Sequence, residues 1–137
     1  VREAAAERGF GEHDRGPAEV VVLAATDPAQ PYGAALPWPD TEGRPSRSAG
    51  AFVVLVDGEA AVFLERGGRS LVLFPAAIAG GADEGWADGL TRLVKDGRLR
   101  SLELAKVDGA PVADSPVADV LRRAGFVDGY RGLVFRA

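Results

Sequence analysis

The sequence predicts an α+β domain: a small, mainly antiparallel β-barrel with two covering helices. Three observations carry this. Residues 49–74 (AGAFVVLVDGEAAVFLERGGRSLVLF) hold three short apolar runs separated by Asp57-Gly58 and Gly67-Gly68. Each run has the length of a strand and is rich in β-branched and aromatic residues, and Asp-Gly and Gly-Gly supply the positive-φ positions of a tight hairpin turn. The first two runs are apolar on both sides. Both faces of the sheet must then be covered, one filling a core and the other lying under helices or a neighbouring domain, which favours a closed or heavily packed sheet. Finally, only two later stretches carry helical periodicity, while the strand-like runs are joined by short turns that favour antiparallel pairing.

Taken in order, residues 1–8 (VREAAAER) read as a short helix ending at Gly9. Residues 9–17 (GFGEHDRGP) read as a linker, and residues 18–25 (AEVVVLAA) as a buried strand. Residues 26–48 break the pattern: Pro28, Pro31, Pro37, Pro39 and Pro45 forbid a helix and remove ladder donors, while Tyr32, Leu36 and Trp38 are too apolar for a solvated coil. Such a loop is either packed down as an ordered lid or used for recognition. In the meander that follows, a turn at Asp57-Gly58 sets Val56 opposite Glu59 and, counting outward, Phe52 opposite Phe63, an aromatic pair worth about 0.2–1 kcal/mol.

Residues 75–81 read as a turn region. Residues 83–96 place Trp86, Leu90, Leu93 and Val94 on one helical face, with Asp83 as cap and Gly97 past the end. Gly89 inside this helix costs about 1 kcal/mol relative to alanine. Residues 98–107 read as a strand with one wet face, followed by an Asp108-Gly109 turn into a short strand at 110–113. Residues 115–124 carry a second helix signal: Ser115 as cap, Pro116 at the first position, Val117, Val120 and Leu121 inward, and Gly125 beyond the end. Residues 126–127 and 132–135 are the closing strands.

The 137 residues suit one domain with a real core, and 47% apolar with 26% charged residues is ordinary for a globular chain. A formal charge of −4 argues against holding nucleic acid by bulk charge, though it leaves room for a local basic patch. The absence of cysteine removes disulfides and thiolate metal sites, and fits a cytoplasmic protein. No apolar run reaches the roughly 18 residues of a membrane span, so no membrane partner is expected. The chain starts at Val1 and contains no methionine, which is expected of a piece cut from a longer protein.

Chemical motifs are mostly lacking. There is no phosphate-binding loop of the Walker type, no Gly-x-Ser-x-Gly elbow and no thiol nucleophile. His13, the only histidine, sits between Glu12 and Asp14 in the proposed linker, and a metal site needs several converging ligands. The carboxylates sit mostly at turns and caps, where short acids are structurally favoured. No catalytic residue and no metal site is therefore assigned. Two features suit recognition. Arg44 and Arg47 precede the meander and Arg66 and Arg69 flank its second turn, so the four form a phosphate-binding patch if that turn folds beside the proline loop. The alternative is that hairpin tips are charged for solubility. Tyr32 and Trp38 either stack on unpaired bases or pin the loop onto the sheet.

The stretch from Leu23 to Pro39 (LAATDPAQPYGAALPWP) resembles a segment near the C-terminus of the Lhr family, the large helicase-related proteins of bacteria. Arg44-Pro45, Ala49-Gly50-Ala51, Val54-Leu55-Val56-Asp57-Gly58-Glu59 and Leu64-Glu65-Arg66-Gly67-Gly68-Arg69 look like the next segment of the same family. Val107-Asp108-Gly109, Ser115-Pro116 and Ala124-Gly125-Phe126 agree as well. The resemblance runs from about residue 18 to the end. It implies that residues 18–137 are the C-terminal β-barrel domain and residues 1–17 the end of a preceding winged-helix domain plus linker.

The resemblance also implies a parent protein that is an ATP-dependent 3′–5′ DNA helicase linked to repair, with ATP and magnesium in an N-terminal motor and no cofactor in this chain. The C-terminal part of the family is similar to bacterial DNA glycosylases built of winged helices and a terminal barrel. The glutamine pair such glycosylases use has no counterpart here. The expected role is thus a non-catalytic accessory domain that braces winged-helix domains and assists single-stranded nucleic-acid binding through Arg44, Arg47, Arg66, Arg69, Tyr32 and Trp38. The alternatives are a protein–protein or self-assembly module, or part of a glycosylase-like repair unit.

Overall fold

The computed structural model describes residues 19–81 and 85–136. The helix expected over residues 1–8, the linker with His13 and the cap at Asp83 lie outside them. In chain order the elements are β1 (Val20–Ala24), β2 (Phe52–Val56), β3 (Glu59–Leu64), β4 (Ser70–Leu73), α1 (Pro75–Gly81) and α2 (Gly85–Lys95). They continue with β5 (Ser101–Leu104), β6 (Lys106–Val107), β7 (Ala110–Pro111), α3 (Ala118–Arg123), β8 (Val127–Asp128) and β9 (Leu133–Arg136). A 6-stranded sheet runs β1-β2-β3-β4-β6-β7, and a 3-stranded sheet runs β5-β9-β8. Among the described residues every pairing between strands is antiparallel except β4 with β6.

The α+β class and the predominantly antiparallel sheet follow the sequence; a closed barrel does not appear. Among the described residues no pairing joins β1 to β7, so the larger sheet has two ends. Strands that are apolar on both faces are accommodated in another way, by two separate covers. Alternation along β2 shows this: Val54, with Phe52 and Val56 beside it, faces one apolar cluster, and Val53 and Leu55 face another. The first cluster is completed by Trp86, Leu90 and Leu93 of α2, Leu121 of α3, and Leu102, Leu104, Leu133 and Phe135 of the small sheet. The second is completed by the proline-rich segment, which brings Ala25, Tyr32 and Trp38 against Phe63, Val72 and Phe74.

The meander has the expected turn, with Asp57 at φ 51° and Gly58 at φ 83° and Val56 opposite Glu59. The aromatic pairing does not follow. Leu55 is opposite Ala60 but Val54 is opposite Val62, so Ala61 is an extra residue in β3. This bulge shifts the register by one, which reverses the face of every residue beyond it. Phe52 therefore lies opposite Leu64 on the helix-covered face, while Phe63, opposite Val53, goes to the loop-covered face.

Residues 75–81, expected as a turn, form α1, which opens on Pro75 at a position where a missing N–H is harmless. The amide N–H groups of Ala77 and Ile78 donate to the Phe74 carbonyl. In α2, buried Gly89 faces the larger sheet. A Cβ there would lie 2.9 Å from Cγ1 of Val20, 3.0 Å from Cγ1 of Val54 and 3.2 Å from Cγ2 of Val22. The missing side chain is what lets the helix approach β1 and β2 so closely.

The strand expected over residues 98–107 splits at Ala105: β5 joins the small sheet, and β6 crosses to β4 of the larger one. At the crossing, the N–H groups of Ala105 and Lys106 both donate to the Arg69 carbonyl, at 2.8 and 3.1 Å. The Asp108-Gly109 turn forms with φ of 52° and 83°. The strand beyond it is only β7, because the chain turns at once into a short 3-10 segment, Val112–Asp114. Helix α3 starts later than expected. Ser115 Oγ accepts from the Val117 N–H at 3.2 Å in the preceding turn, and Gly125 at φ 117° follows the helix. Arg92 and Arg98 donate to the carbonyls of Val20 and Val22, at 2.7 and 3.4 Å, and so occupy acceptors on the outer edge of β1. No helix among the described residues is long and apolar enough to cross a membrane.

Candidate nucleic-acid interface

The candidate surface is built on the proline-rich segment, and that segment is ordered by one buried amide. Gln30 is 1% exposed. Its Nε2 donates to the carbonyls of Ala25, at 2.9 Å, and Tyr32, at 3.1 Å, and its Oε1 accepts from the Tyr32 N–H. A loop without a sheet ladder has backbone groups to satisfy, and a buried amide with both donors and its acceptor engaged does so at little net cost. Arg47 serves the same end: its Nη1 donates to the carbonyls of Gln30, at 2.6 Å, and Tyr32, at 3.1 Å. Gly33, at φ +81°, is pressed under Trp38, where a Cβ would sit 2.7 Å from the indole Nε1.

Both aromatics of the loop are engaged in the fold. Tyr32 is buried, its ring stacked on Trp38 with centroids 6.0 Å apart, and its hydroxyl donates to the Gly58 carbonyl at 3.0 Å. Trp38, half-buried, meets Phe63 edge-on at 5.6 Å and lies parallel to Phe74 at 6.1 Å. The bulge at Ala61 is what delivers Phe63 to this stack. Further along, Thr41 Oγ1 donates to the Leu73 carbonyl at 2.6 Å, and Gly43 lies against Val72, so the returning chain is fixed over β4.

Between this returning chain and the β3–β4 turn lies a groove of about 540 Å³. Arg44 and Arg66 line it together with Ser46 and Ser48, and Phe63 and Val72 contribute apolar atoms. Glu42, Glu65 and Asp108 line it as well, so the groove carries both signs of charge. Asp108 is partly committed to the fold, its Oδ1 accepting from the Leu73 N–H at 3.0 Å. The stem of Arg66 lies against Gly50, where a Cβ would come within 3.2 Å of its Cγ.

Of the four arginines singled out in the sequence, Arg44 and Arg66 are thus brought together and exposed. Arg69 is exposed on the same β3–β4 turn. Arg47 is turned inward as a clamp on the loop. The groove offers the guanidinium groups of Arg44 and Arg66 to an anionic oxygen, and beside them the hydroxyls of Ser46 and Ser48 are hydrogen-bonded to each other at 3.0 Å. Gln30 was not anticipated; a polar residue between Pro28 and Pro31 reads as ordinary loop composition until its burial is seen. Asp27 and Asp57 behave as turn residues, accepting from the N–H groups of Ala29 and Glu19. Among the described residues no group of three or more His, Cys, Asp or Glu is placed to hold a metal ion.

No family model matches the chain. It is 50% identical, over 125 residues covering 85% of its length, to a Mycolicibacterium smegmatis protein named Lhr helicase/probable uracil glycosylase. It is 36% identical, over 115 residues covering 82% of its length, to an Escherichia coli protein named Lhr helicase/uracil glycosylase. The matched stretch is only 8% and 7% of those two proteins, so the chain spans less than a tenth of the curated relatives it matches. Identity at this level across most of a domain-sized chain places it in the Lhr helicase family, as the counterpart of one domain of those much longer proteins.

Proposed function

We propose that the chain is the non-catalytic, C-terminal accessory domain of an Lhr-type ATP-dependent 3′–5′ DNA helicase acting in repair in the cytoplasm. In this reading it braces neighbouring winged-helix domains and lays the Arg44–Arg66 groove, with Arg69 beside it, along the backbone of a single strand. ATP and magnesium serve the motor elsewhere in the parent protein. The observation that carries the reading is the groove itself, where exposed Arg44 on the returning chain and exposed Arg66 on the β3–β4 turn line one cleft. The acids in the same groove keep the contact weak, as suits a domain that assists a motor rather than anchoring it.

The test is titration of the chain with oligo(dT) at several salt concentrations. Each phosphate neutralised contributes about −0.7 to the slope of log affinity against log salt for a single strand. Replacing Arg44, Arg66 and Arg69 together by alanine is expected to flatten the slope by about 2 and to weaken binding at low salt. An unchanged slope would remove the groove from the account, and no binding by the native chain at low salt would leave bracing alone. The relatives' names favour a second reading, a share in a glycosylase-like repair unit. Uracil excision by a longer fragment carrying Glu42→Gln or Glu65→Gln tests it: unchanged rates exclude a role for these acids.

A further inference from the structure

A second feature of the molecule faces solvent without serving the fold. Tyr130 is 96% exposed, whereas Phe63, Phe74, Phe126, Phe135, Trp86 and Tyr32 are buried. It stands at the tip of the β8–β9 hairpin, in Gly129-Tyr130-Arg131-Gly132. The foot of the hairpin is firmly set. Val127 pairs with Val134 and Asp128 with Leu133, and Leu133 and Val134 are buried. The Gly129 N–H donates to the Gly132 carbonyl at 2.7 Å. Gly132 touches the backbone of β5 so closely that a Cβ would lie 1.9 Å from the Leu104 carbonyl oxygen, and one at Gly129 would lie 2.6 Å from Cγ2 of Val134. The two glycines hold the tip in place and leave its two side chains in water.

The charge at the tip is equally defined. Asp128, the acid nearest in sequence, is bound to Arg122 at 3.0 Å, and the same guanidinium holds Asp119 at 2.9 Å. The hydrogen bonds to Asp128 and then Asp119 raise the pKa of Arg122 above its ordinary value. With Asp128 partnered, the exposed cation next to Tyr130 is Arg131. We propose that this hairpin tip is a second contact for a single-stranded nucleic acid, with the Tyr130 ring stacking on an unpaired base and Arg131 meeting the adjoining phosphate. The inference rests on the reading that the domain meets single strands, and adds to it a base-stacking site distinct from the groove.

Base stacking suits the geometry better than a protein contact. A stacked base needs a bare ring face and a nearby cation, both of which the tip provides. A protein hot spot needs a surrounding rim that excludes water, and the ring's sequence neighbours are an exposed glycine and an exposed arginine.

The experiment uses the chain and an oligo(dT) carrying a single 5-iodouracil. Irradiation is expected to cross-link Tyr130. Tyr130→Ala should weaken binding between about fivefold and a hundredfold with the salt slope unchanged, Tyr130→Phe should bind as the native chain does, and Arg131→Ala should flatten the slope by about 0.7. Because Tyr130 touches nothing in the core, Tyr130→Ala should keep the native circular dichroism. Native affinity in Tyr130→Ala, with cross-links only elsewhere, overturns the stacking site. If the triple arginine variant loses binding at the same time, the groove survives that result. Absence of binding by every form at low salt overturns both.

Discussion

On one face of the six-stranded sheet the cover is a helix whose own side chains fill the space: Trp86, Leu90 and Leu93 of α2 are all 3% exposed or less. On the other face the cover is a loop without helix or ladder, which contributes Tyr32 and Trp38 and is held by Gln30 and Arg47. A helix satisfies its backbone internally and needs only an apolar stripe to bind a sheet. A loop brings unsatisfied backbone groups to the same surface, so its docking needs polar side chains that reach inward. The helix-covered face is therefore stabilised mainly by burial, and the loop-covered face by burial that depends on a few hydrogen bonds.

The largest expected effect comes from weakening the apolar side of this contrast. Leu90→Ala empties a site that is 0% exposed and should destabilise the whole domain by about 2–5 kcal/mol in urea unfolding. A loss below about 1 kcal/mol would mean that α2 is not the main cover. Gln30→Ala should cost less, about 1–3 kcal/mol, because it strands the groups the amide now serves. Its signature should be local: faster proteolysis within residues 31–45 and greater quenching of Trp38 fluorescence. If unfolding stays global and the loop stays protected, the polar anchoring of this face is wrong.

The smallest effect sharpens the fit of helix to sheet. Helix propensity alone makes Gly89→Ala stabilising by about 1 kcal/mol. The contact with Val20 and Val54 reverses the sign, and overpacking should leave a net loss of about 1–2 kcal/mol. A rise in stability would show that α2 has room to move away from β1 and β2.

The same contrast explains what was readable in advance. Helix α2 announced itself by periodicity, and the Asp57-Gly58 and Asp108-Gly109 turns by chemistry, because these signals are local. The candidate groove was half legible. Arg44 and Arg66 were singled out by their places beside the loop and the turn, but nothing in the sequence distinguished them from Arg47, whose guanidinium points at loop carbonyls. Tyr130, between a glycine and an arginine, carries no periodic signal in the sequence; only its exposure marks it.

The sequence by itself determined the α+β class, the strand-turn-strand order of the meander, helices α2 and α3 but not α1, and the requirement that the meander be covered on both faces. Tertiary structure alone decided how that requirement is met. The bulge at Ala61 fixed which face Phe63 joins, the split at Ala105 sent β5 and β6 to different sheets, and the loop covers a face that helices or a neighbouring domain were expected to cover. Local patterning states which residues must leave water. Which surface receives them depends on register and on contacts between residues far apart in the chain, and a one-residue slip reverses the answer.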